Sequence, residues 1–140
     1  MKNDTLIVIP IRMGSSRLPG KPLIEINGKA MISHVWHQAV SSNSGDVIVA
    51  CCDKEASDYL KKNNIPYVMT KKRLNSGTDR VYNAIEVLKK NNSYKYIINL
   101  QGDIPNISVA SIKKLALIIR QKSVCMATLV SKIKTSNAIE

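Results

Sequence analysis

Thr5-Leu6-Ile7-Val8-Ile9-Pro10-Ile11, followed at once by Arg12-Met13-Gly14-Ser15-Ser16-Arg17-Leu18-Pro19-Gly20-Lys21-Pro22, is the stretch on which the fold turns. The first seven residues form an unbroken apolar run rich in β-branched side chains. Such a run suits a strand covered on both faces, because a half-exposed strand alternates apolar with polar residues. The next eleven replace it with two Gly, two Pro and two Ser among cations, which marks a long, constrained loop. Further runs of the same kind recur at Asp46–Cys51, Pro66–Met69, Tyr94–Leu100 and Val124–Val130. Between them lie stretches with apolar residues at helical spacing: Ala30–Ser42, Lys54–Asn63, Thr78–Lys90 and Val109–Gln121. Strands alternating with helices predict an α/β fold, a doubly wound, mostly parallel sheet with helices on both faces.

Composition agrees with one such domain. The chain has 140 residues, 44% of them hydrophobic, enough for a core built from Ile, Val, Leu and Ala because aromatics are only 4% and Phe is absent. The longest early apolar run ends at Arg12, too short for a secretory signal core or a bilayer span, so a cytoplasmic protein without a membrane partner is expected. Three cysteines, two of them adjacent at Cys51-Cys52, with no C-x-x-C, argue against a zinc site or disulfide framework and for reduced, buried thiols. His34, Trp36 and His37 fall on a helix, where packing is the expected role. Lys plus Arg total 21 against 10 Asp plus Glu, a formal charge of +11. That balance suits a polyanion, whether nucleic acid, acidic lipid or a polyphosphate, and equally suits a solvated lysine-rich surface.

In doubly wound sheets, ligands collect beyond the carboxyl ends of the strands. The loops predicted there are Arg12–Lys21, Cys52–Lys54, Thr70–Thr78 and Gln101–Asn106. The first holds Arg12, Arg17 and Lys21 with Gly14, Ser15, Ser16 and Gly20 between them. Guanidinium forks match phosphate oxygens, lysine adds a mobile charge, and glycines let backbone amides approach an anion. It is not a P-loop, since Pro22 follows Lys21. Gln101-Gly102-Asp103-Ile104-Pro105 offers Asp103 as a Mg²⁺ ligand and the Gln101 amide for a base or ribose edge. Asn75-Ser76-Gly77-Thr78-Asp79-Arg80 leads into a helix with Thr78 as the expected N-cap, and the amides of Ser76 and Gly77 could grip a base or sugar. Asp53 is expected to cap a helix, and Ser108 to cap the helix from Val109.

Taken together, Ile9-Pro10-Ile11-Arg12-Met13-Gly14-Ser15-Ser16-Arg17-Leu18-Pro19-Gly20-Lys21-Pro22-Leu23, then Ser76-Gly77-Thr78-Asp79-Arg80, then Gln101-Gly102-Asp103-Ile104-Pro105 and Met126-Ala127-Thr128-Leu129, resemble the 3-deoxy-manno-octulosonate (Kdo) cytidylyltransferases, or CMP-Kdo synthetases. The resemblance implies a nucleotide-diphospho-sugar transferase-like fold, with residues 1–140 as the nucleotide-binding part of a cytidylyltransferase domain. The chain would correspond to the N-terminal part of the family's length, truncated at its carboxyl end. The implied reaction couples CTP and Kdo to CMP-Kdo and pyrophosphate with Mg²⁺, for lipopolysaccharide synthesis.

By likeness, Arg12, Ser15, Ser16, Arg17 and Lys21 would hold the triphosphate, Ser76, Gly77 and Gln101 the cytidine, and Asp103 the metal. Arg12, Lys21 and Asp103 would carry the catalysis. Family members are homodimers, and the dimer-forming segment would lie beyond this stretch. The family usually has Glu where Ile104 stands, and an acid or His where Lys54 stands. Two other readings are a truncated or split-gene remnant that binds CTP without turnover, and a basic nucleic-acid-binding domain. The latter rests on charge alone, with few aromatics for base stacking.

Overall fold

A computed structural model describes residues 4–14, 18–88 and 94–130. Strand β1 (Thr5–Pro10) is buried along its whole length. It lies between β4 (Asp46–Cys51) and β6 (Tyr96–Asn99), parallel to both, with Ile7 opposite Val47 on one side and Ile98 on the other. Strand β5 (Tyr67–Met69) adds to the far side of β4, so the order is β5-β4-β1-β6. Alternate residues of β1 feed two cores. Ile7, Ile9 and Ile11 pack with Ile32, Val35 and Ala39 of α1 (Met31–Ser41), Ala56 and Leu60 of α2 (Lys54–Lys62), and Ile112 and Ala116 of α4 (Val109–Ile119). Leu6 and Val8 pack on the opposite face with Val81 and Ala84 of α3 (Gly77–Leu88). This is the doubly wound sheet expected from the apolar run, because a strand covered on both faces takes apolar side chains except where a polar one, as Thr5 at its start, finds a hydrogen-bond partner.

The chain winds outward from β1 through β4 to β5, then crosses to β6 on the other side of β1. The winding direction therefore reverses at β1 and β6, and the gap beyond their carboxyl ends is the topological switch point. At the opposite end, Arg120 Nη2, just past α4, donates to Asp4 Oδ1 at 3.0 Å, Thr5 Oγ1 at 2.8 Å and Ser44 O at 3.2 Å. Hydrogen bonds from Thr5 and Arg120 hold the Asp4 carboxyl below its usual range.

Three expectations need correction. The predicted fifth strand at Val124–Val130 is not formed: the segment is irregular, and Met126 and Val130 are 89% and 91% exposed. A strand exists only through a neighbour's hydrogen-bond ladder, and no described strand pairs with this one. Met126-Ala127-Thr128-Leu129 falls in that segment. Second, a hairpin stands ahead of α1 that was not anticipated, β2 (Glu25–Ile26) against β3 (Lys29–Ala30). Asn27 and Gly28, both at positive φ (50° and 77°), make its two-residue turn, the backbone that Asn-Gly favours. His34 Nε2 lies 2.7 Å from the Ile26 carbonyl oxygen and ties the hairpin to α1, a packing role as expected.

Third, the thiols differ among themselves. Cys51 is buried, Cys52 half-buried and Cys125 exposed. Burial, with Cys52 and Asp53 adding to it, pushes the Cys51 thiol up to about 11. No helix among the described residues is long and apolar enough to cross a membrane. With a thiol-reactive disulfide reagent near neutral pH, Cys125 is expected to react first and Cys51 only after denaturant is added, because the thiolate is the reacting form. Equal rates for all thiols in the native protein would contradict this arrangement.

Candidate nucleotide site

Beyond β1 and β6 the structure opens a cavity of about 600 Å³, lined by Pro10, Ile11, Arg12, Leu18, Lys21, Pro22, Leu74, Asn75, Ser76, Gly77, Arg80, Gln101, Gly102 and Asp103. Six residues singled out from sequence, Arg12, Lys21, Ser76, Gly77, Gln101 and Asp103, thus share one wall-to-wall space although 91 positions separate the first from the last. Ser15, Ser16 and Arg17 lie outside the described residues.

The loop after β1 narrows to a neck. Gly20 N–H donates to Met13 O at 2.9 Å, with Gly20 at φ 72°, and a short 3₁₀ turn follows at Lys21–Leu23. Arg12 precedes that neck and Lys21 follows it, so both cations reach the cavity. Opposite, the chain leaves β6 through Gly102, which lies directly on the end of β1. A Cβ there would stand 2.6 Å from Ile11 Cγ2 and 3.1 Å from Pro10 O. Glycine lets Gln101 and Asp103 sit this close to the β1 loop. Lys21 Nζ and Asp103 Oδ2 meet at 2.8 Å, with side chains 34% and 52% exposed. The predicted phosphate-binding cation and the predicted metal ligand are therefore each other's partners in this structure.

The third wall is the N-terminal turn of α3. The helix begins at Gly77, one residue earlier than expected, and its cap is Ser76 rather than Thr78. Ser76 Oγ accepts from Asp79 N at 3.0 Å and donates to Asp79 Oδ2 at 2.9 Å, the reciprocal arrangement that a serine three residues before an acid allows. What Ser76 and Gly77 offer a ligand is backbone N–H at a helix start, where amides lack intrahelical acceptors. Gln101 lies across Gly77, whose missing Cβ would be 3.8 Å from Gln101 Oε1, and donates to Asn99 Oδ1 at 3.2 Å.

Arg80 belongs to this wall and was not singled out. It is 4% exposed, and its Nη1 donates to Thr70 Oγ1 at 2.6 Å and to Lys71 O at 3.2 Å. Asn83 Oδ1 accepts from Lys71 N at 2.9 Å, so two residues on the buried side of α3 hold the chain as it leaves β5. Only the helical phase, which puts Arg80 beside Val81 and Ala84, reveals that this arginine faces inward. The two family departures lie off the cavity. Lys54 pairs with Asp58 on the outer face of α2 at 2.9 Å, and Ile104 is 37% exposed beyond the lining residues.

The chain's residues 6–140 match the cytidylyltransferase family. The chain belongs to that family. Among curated relatives, it is 40% identical to the 3-deoxy-manno-octulosonate cytidylyltransferase of Paramagnetospirillum magneticum over 128 residues, 91% of this chain and 52% of that protein. It is 42% identical to the protein of the same name from Parvibaculum lavamentivorans, over 77% of this chain and 42% of that one. This cytidylyltransferase-family chain thus spans about half the length of the curated relatives it matches. A solved CMP:2-keto-3-deoxy-manno-octonic acid synthetase complexed with CTP superimposes with a TM-score of 0.76 at 40% identity, covering 83% of this chain and 47% of that one. A cytidylyltransferase from Leptospira borgpetersenii, 22% identical with a TM-score of 0.66, shares the fold.

Gly102→Ala tests how tightly the two strand ends are packed. Because the added methyl meets Ile11 and the Pro10 carbonyl, it is expected to destabilise the protein by about 1–3 kcal/mol in a denaturant titration. An unchanged midpoint would mean that the loop after β6 has slack the structure does not show.

Proposed function

We propose that this chain carries the nucleotide half of a CMP-Kdo synthetase: it binds CTP as substrate for the activation of Kdo to CMP-Kdo, releasing pyrophosphate. The observation that carries the reading is the cavity at the switch point, lined by Arg12 and Lys21 from the β1 loop, Gln101 and Asp103 from the loop after β6, and Gly77 at the start of α3. The solved relative named as a complex with CTP, 40% identical, supports it.

In the proposed reaction a Kdo hydroxyl attacks the α-phosphorus of CTP. The new P–O bond forms as the bond to the β-phosphate breaks, the hydroxyl proton is released, and pyrophosphate leaves. Little covalent chemistry falls to the protein. Its residues hold the triphosphate in line and offset the charge that builds on the departing pyrophosphate. Arg12 and Lys21 do this from the β1 loop, joined by Ser15, Ser16 and Arg17. The amides of Ser76 and Gly77 and the side chain of Gln101 hold the cytidine. Arg12, Lys21 and Asp103 stand closest to the reacting phosphates on this reading.

Asp103 fits a divalent cation. Its carboxylate is half-exposed on the cavity and, among the described residues, is paired with a lysine that a phosphate can draw away. Mg²⁺ keeps several waters and takes one or two carboxylates beside substrate phosphates, so Asp103 would supply one of the protein's ligands. No cluster of three or more His, Cys, Asp or Glu exists among the described residues to hold a metal by itself. Bound there, Mg²⁺ would neutralise charge on the phosphates. The excess of positive charge serves a polyphosphate on this reading, not a nucleic acid, and the enzyme works in the cytoplasm for lipopolysaccharide synthesis as part of a homodimer.

The test is titration calorimetry with CTP and with ATP, with and without Mg²⁺, on protein whose thermal melt is cooperative. CTP-preferring binding strengthened by Mg²⁺ is expected. Asp103→Asn is expected to erase the Mg²⁺ effect while shifting stability by no more than about 1 kcal/mol, since exposed ion pairs contribute little. A cooperatively folded sample that ignores CTP would refute the assignment.

A further inference from the structure

Asp53 follows β4 at the N-cap position of α2, yet its side chain makes no capping bond there. The helix takes its first bond from the Asp53 backbone instead, with Ser57 N–H donating to Asp53 O at 3.1 Å. The carboxylate turns across the sheet end: Oδ2 accepts from Met13 N at 2.9 Å and from Cys52 Sγ at 3.4 Å. Met13 is the residue whose carbonyl receives Gly20 N–H. One residue, Met13, thus closes the neck of the β1 loop with its C=O and is anchored by Asp53 through its N–H. Arg12 and Lys21, on the two sides of that neck, line the cavity, and Asp53 does not.

We infer that Asp53 is a positioning residue, holding the Met13 amide so that Arg12 and Lys21 stand ready for the polyphosphate of a nucleotide. The inference rests on the nucleotide reading of the cavity. An amide bonded to an ionised carboxylate is among the stronger hydrogen bonds available to a loop. Charges of both signs surround Asp53, with Glu55 in the first turn of the same helix. Arg80, buried on the α3 side, acts on the thiol of Cys52 together with Asp53, so Cys52 lies within reach of both. Lys54, next in sequence, is turned away to Asp58.

Two effects of Asp53 on an anionic ligand have opposite signs, and this separates them. As a negative charge behind a cationic loop it opposes phosphate binding, so removing charge alone favours the nucleotide. As a tether it favours binding, so removing the acceptor disfavours it. Asp53→Asn keeps an acceptor oxygen and loses the charge, whereas Asp53→Ala loses both. If the tether matters, Asp53→Ala weakens CTP binding by about tenfold or more, while Asp53→Asn stays within about threefold of the parent protein or binds more tightly.

Calorimetry with CTP and Mg²⁺, below the melting range of each variant, reads the affinities. Amide hydrogen exchange at Met13, without nucleotide, reads the tether directly: slow exchange is expected in the parent protein and Asp53→Asn, and fast exchange in Asp53→Ala. Equal or tighter CTP binding by both variants would overturn the inference and leave only the charge. So would a lowered melting temperature with unchanged affinity of the folded protein, and so would unchanged exchange at Met13 in Asp53→Ala. A parent protein with protected Met13 that binds no CTP would instead refute the nucleotide reading, and with it the purpose assigned to the tether.

Discussion

The described sheet and both of its packed faces are organised around β1. Its side chains are covered on both faces, Ile7 and Ile9 by three helices and Leu6 and Val8 by the fourth, and its backbone is paired on both edges. A strand in that position tolerates neither an unpaired polar side chain nor a misplaced hydrogen-bond partner. The register of β4 and β6 follows from it, and so does the place where their carboxyl ends part. The cavity is a product of this constraint: two loops leave adjacent parallel strands and diverge because the sheet winds away from them on either side.

Backbone proximity then does much of the chemical sorting. Gly102 and Gly77 bring main chain where a larger residue would stand off, and the side chains that flank them, Gln101, Asp103 and Ser76, are carried to the cavity rim. The polar anchors of these loops fall into a pattern as well. Arg80 and Asn83 grip the chain leaving β5, and Asp53 grips the chain leaving β1. Each polar anchor sits on an element adjoining the loop it secures. The roots of these loops are therefore held by the packed sheet.

Much of this was legible in the residues. The continuous β-branched runs located four strands to within a residue or two at most ends, because double burial leaves a local signature. Gathering Arg12, Lys21, Gln101 and Asp103 needed only the rule that parallel strands present their carboxyl-end loops together. The failures have physical causes too. Val124–Val130 has strand-like composition, but composition does not supply the neighbouring ladder. The Asn27-Gly28 turn carried a local signal, though the strands flanking it are only two residues each. Thr78 and Ser76 both suit a cap, and only the helix start decides between them. Asp53 looked like a cap because its real partner, Met13, is 40 residues away and leaves no local trace.

The pairing of Lys21 with Asp103 has a thermodynamic meaning beyond its geometry. Each group is the other's counter-charge, so an anion that draws Lys21 away leaves a bare carboxylate, and a cation that takes Asp103 leaves a bare ammonium. Either event readies the site for a ligand of the opposite sign. Linkage then requires the preference to run both ways, each ligand raising the affinity for the other by the same factor. A contact that looks like simple neutralisation would thereby be a source of heterotropic cooperativity on the proposed reading, located in a single 2.8 Å bond.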